Sequence, residues 1–91
     1  MPIFPFDKYL GFEIFVIELL PGCTHMSFPH QKGIIEHVIP VSGIIEVLVD
    51  QIWHKVNPNE GVRFEAHLPH GYRNLSSIPA LFHDIIHYPK K

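Results

Sequence analysis

Prolines and glycines interrupt this sequence so often that a long helix has no room to form. The chain has 9 prolines and 6 glycines in 91 residues, and they are spread along its whole length. Proline ends or kinks a helix because it lacks an amide proton and clashes with the preceding turn. The segments between these residues are rich in Ile, Val and Phe, which favour extended chain. The sequence therefore predicts an all-β domain.

The hydrophobic segments are short and are separated by turn residues. Residues 43–56 predict a hairpin whose turn lies near Asp50, and Pro40 predicts an edge strand or a bulge in the strand before it. This spacing is typical of sandwiches and barrels. We expect about eight short antiparallel strands, which include the segments 12–20, 33–41, 62–66 and 80–89.

Composition excludes several classes of protein. The chain is 46% hydrophobic and 18% charged, with a formal net charge of -2, which indicates a folded domain whose surface does not contact nucleic acid directly. A single cysteine excludes an internal disulfide. No stretch has the length of a membrane span or the pattern of a signal peptide. We expect one domain over residues 1–91 in a cytoplasmic setting.

Histidine is the most over-represented residue type, with 8 in the chain. Histidine is the commonest metal ligand and changes its charge near neutral pH. The segment SFPHQKGIIEH places His30, Glu36 and His37 close together. These residue types suit either a metal site or an acid–base pair, and the segment alone does not distinguish them.

Two segments carry residues at the spacing of a known pair of motifs. In PGCTHMSFPHQKGIIEHVIPVSG, Gly22 is followed after five residues by Phe28 and then by His30, and Glu36 precedes Gly43 by seven positions. The second segment, NEGVRFEAHLPHGYRN, contains a histidine and an asparagine four positions apart. In this order and spacing the two segments resemble the paired motifs of the cupin superfamily, in particular the small Cupin_2 domains.

The resemblance is strongest to the C-terminal sensor domains of XRE-type helix-turn-helix transcriptional regulators. It implies a cupin double-stranded β-helix, which is a jelly-roll barrel with a pocket inside. The implied function is binding of a small molecule, either as the ligand-sensing domain of a regulator or as a stand-alone equivalent. The alternative is a small metal-dependent enzyme of the dioxygenase or isomerase type. The resemblance also implies a homodimer.

The cupin motifs imply His30, Glu36 and His70 as metal ligands. Metal-binding cupins have a further histidine at the position of Phe28, so the pocket has either a three-residue site for Zn, Fe, Mn or Ni or no metal at all. In the second case we expect Phe28 to fill part of the cavity. Tyr72 lies two residues after His70 and should share its inward face. The predicted ligand-binding residues are therefore His30, Glu36, His70, Tyr72 and Phe28.

The motif leaves open which side chain faces inward in the strand after His30. Five residues separate His30 from Glu36, where cupins have three or four. The extra residue fits a turn at Lys32-Gly33. The side chain that faces inward is then Glu36 or, if the register shifts, His37 or Ile35.

Overall fold

A computed structural model describes residues 1–89, in which the chain forms nine β-strands. No helix in this described range is long and apolar enough to cross a membrane. The strands are β1 (Pro2–Asp7), β2 (Phe12–Leu19), β3 (Thr24–Ser27), β4 (Ile35–Ser42), β5 (Ile45–Val49), β6 (Ile52–Val56), β7 (Val62–Glu65), β8 (His70–Arg73) and β9 (Ala80–His87).

The strands form two antiparallel sheets that face each other. One sheet has the order β1-β2-β9-β4-β7 and the other has the order β3-β8-β5-β6. The last strand, β9, pairs along its length with both β2 and β4 and holds the larger sheet together. The all-β jelly-roll class predicted from the sequence is confirmed.

The core lies between the two sheets and receives alternate residues from each strand. Phe82 of β9 and Val38 of β4 are fully buried on the larger sheet, and Val47 of β5 is fully buried on the smaller one. Successive side chains of a strand point to opposite faces, so one face of each strand supplies the core. Burial of such side chains stabilises the fold by roughly 1.5–3 kcal/mol each.

Pro40 lies in β4 at an irregularity of the sheet. Pro40 pairs with Phe82, but the pairing shifts before Ser42, which lies opposite Leu81. Since proline has no amide proton for the ladder, the shift at this position has a direct cause. The bulge predicted from Pro40 is confirmed, although β4 lies inside its sheet and not at the edge.

The predicted hairpin is also present. Strands β5 and β6 pair in register, with Val49 opposite Ile52. Asp50 adopts a positive φ of 59° in the turn between them, a conformation that Asp tolerates better than most residues.

Candidate functional site

A cavity of about 420 Å³ opens between the two sheets. This volume is in the range of small-molecule pockets, which is roughly 300–1,000 Å³. Its walls come from both sheets and from the segment between β3 and β4. The lining residues are Phe15, Ile17, Glu18, Leu19, His25, Ser27, His30, Glu36, Tyr72, Asp84 and Ile86.

Glu36 faces this cavity because the extra residue before it is taken up in a turn. Lys32 and Gly33 form the turn, and Gly33 has a φ of +99°, which a residue with a Cβ rarely adopts. Glu36 is 1% exposed and lines the cavity. Ile35 and His37 are half-buried and lie on the opposite face of β4. Of the three alternatives for the inward residue, Glu36 is therefore the one observed.

His70 is fully buried on β8 and is oriented by the backbone. Its Nδ1 lies 2.9 Å from the carbonyl oxygen of Leu68 and donates to it, since a carbonyl only accepts. Its Nε2 lies 3.4 Å from Oε2 of Glu36. Burial lowers the pKa of His70, but the nearby carboxylate of Glu36 and the bond with the Leu68 carbonyl outweigh this effect and raise the pKa above its usual value.

Three side chains bring potential metal-ligand atoms together. His30, Glu36 and His70 each offer one such atom, and these atoms lie within 4.8 Å of one another. Oε2 of Glu36 and Nε2 of His70 are buried and have no hydrogen-bond partner in the described part of the chain. The bond from His70 to Leu68 is the kind of outer contact that orients a metal-bound histidine. The donor set therefore fits a divalent transition metal.

A second carboxyl group lies next to this set. The Tyr72 hydroxyl donates to Oε1 of Glu36 and lies 3.4 Å from Oδ2 of Asp84. Asp84 is 4% exposed. Burial, then the charge of Glu36 and a hydrogen bond with it, and finally the charge of Glu13 raise the pKa of Asp84 to about 9. Near neutral pH Asp84 therefore carries a proton.

Sequence reasoning missed Asp84, which lies on β9 outside both motifs. Phe82, Asp84 and Ile86 are buried alternate residues of β9, and His83 lies on the other face. The period of two from Phe82 to Ile86 is the signal that could have placed Asp84 inside.

His25 is a second lining residue that sequence reasoning missed. His25 is exposed but borders the cavity, and its ring is parallel to that of Tyr72, with centroids 6.2 Å apart. Strand β3 pairs His25 with Tyr72 and Ser27 with His70. His25 and Ser27 are alternate residues of β3, so they share a face, and their pairing with β8 places that face at the cavity.

The sequence profile of the Cupin_2 family, described as a cupin domain, matches residues 15–86. The chain belongs to the Cupin_2 family. It is 44% identical over 88 residues to the HTH-type transcriptional regulator SutR of Escherichia coli, in an alignment that covers 97% of this chain and 49% of that protein. This cupin therefore spans about half the length of that curated relative.

Solved cupin structures agree with this assignment. The Cupin_2 domain of an XRE family transcriptional regulator from Enterobacter cloacae has a TM-score of 0.96 and 48% identity, covering 99% of this chain and 95% of that one. An HTH_3 family transcriptional regulator from Vibrio cholerae has a TM-score of 0.92 and 38% identity, covering 98% of this chain and 49% of that one. These matches confirm the predicted family and its similarity to regulator cupins.

Phe28 of this cupin does not have the position that was expected for it. Its side chain is 91% exposed and is not part of the cavity wall. Strand β3 ends at Ser27, which faces the cavity, and Phe28 therefore points the opposite way. The prediction that Phe28 fills part of the cavity is wrong. The next cavity residue is His30, so the cavity retains the space that Phe28 was expected to occupy.

Asn74, the last residue of the second cupin motif, is structural. It is fully buried, and its amide nitrogen donates to the carbonyl oxygens of Leu19 at 2.9 Å and Ile78 at 2.8 Å. Its amide oxygen accepts from the backbone nitrogen of Ser76 at 2.9 Å. Through these bonds Asn74 fixes the turn before β9, a role that suits asparagine because its side chain bonds to nearby backbone groups.

Proposed function

We propose that this cupin domain binds a small molecule in the cavity between its sheets and acts as the ligand-sensing domain of a transcriptional regulator, or as a stand-alone equivalent. Three buried atoms beside the cavity carry the proposal: Oε2 of Glu36, Nε2 of His70 and Oδ1 of Asp84 lack partners within residues 1–89. A buried polar atom without a partner costs about 1–3 kcal/mol. A ligand that pairs with these atoms recovers that energy as affinity.

The regulatory part of the proposal is supported by the relatives, two of which are described as HTH-type or HTH_3 transcriptional regulators. Regulation requires a ligand to bind one conformation better than another. His30 is placed for this role, because it lines the cavity and belongs to the segment between β3 and β4. Phe28 in the same segment is exposed, so a change in the conformation of the segment would alter a surface that a partner contacts.

Homodimerisation belongs to the same proposal. Strand β1 is exposed along its length, and its Phe4 and Phe6 line a surface groove with Leu10 of the following turn. Exposed apolar patches of this kind mark interaction surfaces. We expect two copies to pair there, and we expect no direct contact of this domain with nucleic acid. Sedimentation of the domain and of Phe4→Glu measures the dimer, which the substitution should weaken; a monomeric wild-type domain contradicts pairing.

A thermal-shift screen followed by native mass spectrometry tests ligand binding. The domain is screened against a chemically diverse collection of metabolites, and each compound that binds is retested on Glu36→Gln. Glu36→Gln should weaken binding at least about tenfold, since it removes a charged acceptor. Glu65→Gln is the matched control because Glu65 is exposed on β7 and is not a lining residue. Compounds that bind Glu36→Gln and wild type equally would place the site elsewhere.

The second candidate is a small metal-dependent enzyme, for which the His30–Glu36–His70 cluster is the specific observation. These three side chains would hold the metal, and two histidines with one carboxylate leave coordination positions free. A metal there would supply Lewis-acid chemistry or bind oxygen. The Tyr72 hydroxyl, hydrogen-bonded to Glu36, would orient that carboxylate.

Metal analysis of tag-free protein tests this second function. Retention of Mn, Fe, Ni or Zn near stoichiometry supports it, and His30→Ala should reduce the metal content. His54→Ala is the control, since His54 is exposed on β6. Less than roughly a tenth of an equivalent, with no uptake on titration, would exclude a metal enzyme.

A further inference from the structure

Two buried carboxyl groups beside the cavity each have one oxygen without a hydrogen-bond partner in the described chain. Glu36 on β4 and Asp84 on β9 both line the cavity, and they are 1% and 4% exposed. The Tyr72 hydroxyl donates a hydrogen bond to Oε1 of Glu36 and lies near Oδ2 of Asp84. Oε2 of Glu36 and Oδ1 of Asp84 have no hydrogen-bond partner in the described chain. The Tyr72 hydroxyl therefore contacts only the other oxygen of each group, and these two unpartnered oxygens remain as acceptors for a ligand.

The charge of the cavity wall selects the ligand further. Glu18 adds a third carboxyl group to the lining, and none of the described lining residues is Lys or Arg. Behind the lining residues, Nε2 of His70 lies 3.4 Å from Oε2 of Glu36. In the neutral ring this nitrogen is a further acceptor, because Nδ1 donates to a carbonyl oxygen. A ligand with its own carboxylate or phosphate would face like charges at close range, which is unfavourable. A ligand with a positive charge or several N–H donors matches the wall.

The part of the same sheet that adjoins these carboxyl groups requires an apolar group, since Phe15 pairs with Asp84 and Ile86 pairs with Glu36. Phe15, Ile17 and Leu19 are alternate residues of β2, and they line the cavity together with Ile86 of β9. Their side chains offer no hydrogen bond. A ligand that fills the cavity must therefore place hydrocarbon against this wall, where each buried CH₂ group contributes about 0.8 kcal/mol.

We infer that the cavity takes a primary amine with an apolar body. This inference rests on the proposed binding function and assigns its ligand class. The ammonium group donates up to three hydrogen bonds, to Oε2 of Glu36, Oδ1 of Asp84 and Nε2 of His70, and the hydrocarbon lies on the β2 wall. Oε2 of Glu36 and Nε2 of His70 lie 3.4 Å apart, so one nitrogen can reach both.

Binding of three isosteric probes to EDTA-treated domain tests the inference. The probes are n-hexylamine, n-hexanol and hexanoate, which share an apolar chain and differ in the polar end. Isothermal titration and thermal shift at pH 7 should show binding of hexylamine at least about tenfold tighter than of the other two, as expected for hydrogen bonds to charged groups. Asp84→Leu, which removes the acceptor oxygen, should weaken hexylamine at least about tenfold and leave hexanol unchanged. Glu65→Gln should not change either value.

The alternatives give distinct results. Equal or tighter binding of hexanoate or hexanol overturns the amine assignment but leaves the cavity as a small-molecule site. Hexylamine binding that Asp84→Leu retains also overturns it, because the ammonium would then lie elsewhere. Failure of all three probes overturns the amine assignment, while the metabolite screen on the same protein decides separately whether the cavity binds any ligand.

Discussion

Replacement of Asp84 by asparagine should stabilise the ligand-free domain. Asp84 is buried in β9 beside Glu36, and one of its carboxyl oxygens has no partner within residues 1–89. Burial, then the charge of Glu36 and a hydrogen bond with it, and the charge of Glu13 raise the pKa of Asp84 from 3.8 to about 9. The asparagine amide has nearly the same shape and carries no charge, so it removes the need to hold a proton.

The raised pKa determines how stability depends on pH. Below pH 3.8 Asp84 is protonated in both folded and unfolded chains, and its contribution is fully present. That contribution is lost as the pH rises through about 9, because the unfolded carboxyl ionises first. Between pH 3.8 and 7 the loss is at most ~4 kcal/mol at ~1.4 kcal/mol per pH unit. Since asparagine must find its own partners, we expect a gain of about 1–3 kcal/mol at pH 7.

Urea unfolding and thermal melts of wild type and Asp84→Asn at pH 5, 6, 7 and 8 measure this effect. The melting temperature of the variant should exceed that of wild type by roughly 4–8 °C per kcal/mol, and the difference should widen as the pH rises. Asp50→Asn, in an exposed turn, is the control. A difference that is constant across this range, or a variant that is less stable than wild type, would refute the buried proton at Asp84.

Other changes should destabilise the domain for separate reasons. Gly43→Ala should lower the free energy of unfolding in urea more than Gly22→Ala does. Both glycines have φ near +75°, but a Cβ at Gly43 would lie 2.8 Å from the Ala80 Cα, whereas a Cβ at Gly22 meets nothing within 4 Å. Equal losses of stability would contradict this steric reason. Asn74→Ala should cost about 2–4 kcal/mol by the same assay, because it removes the donor to the buried Leu19 carbonyl and the acceptor of the Ser76 backbone nitrogen. Tyr72→Phe should cost about 1–3 kcal/mol at pH 7, since the carboxyl groups beside it lose their donor, and an unchanged melting temperature contradicts that bond.

The fold was largely predictable because its signals are local. The distribution of proline and glycine excluded long helices, and alternating side chains marked the strands that supply the core. The two strands that were least marked were β1 and β3. Every residue of β1 is exposed, so the strand has no buried face to create an alternating pattern, and β3 has only four residues. Their place in the sheets depends on pairing with β2 and β8, which the local sequence does not encode.

The site was predictable only where motif spacing identified it. His30, Glu36 and His70 come together as the motifs predicted, and Tyr72 shares the inward face of His70. Asp84 lies outside both motifs, so only the alternation of β9 indicates its inward face, and its contact with Tyr72 of β8 is not encoded by either motif. The prediction for Phe28 was wrong for the opposite reason. Its motif position predicted an inward side chain, whereas the end of β3 at Ser27 sets the actual direction.

The effects expected at Asp84 have opposite signs on stability and on binding. The carboxyl group destabilises the ligand-free domain, and the same group is the acceptor that a bound amine requires. A ligand present at a hundred times its dissociation constant stabilises a protein by about 2.7 kcal/mol, which is similar to the ~1–3 kcal/mol attributed to the unpaired carboxyl. Occupancy would therefore offset a local instability next to His30 and its exposed segment. The domain would thus be less stable with an empty cavity and more stable with a bound ligand. A sensor needs this property, because a modest ligand concentration then changes which conformation of that segment is favoured.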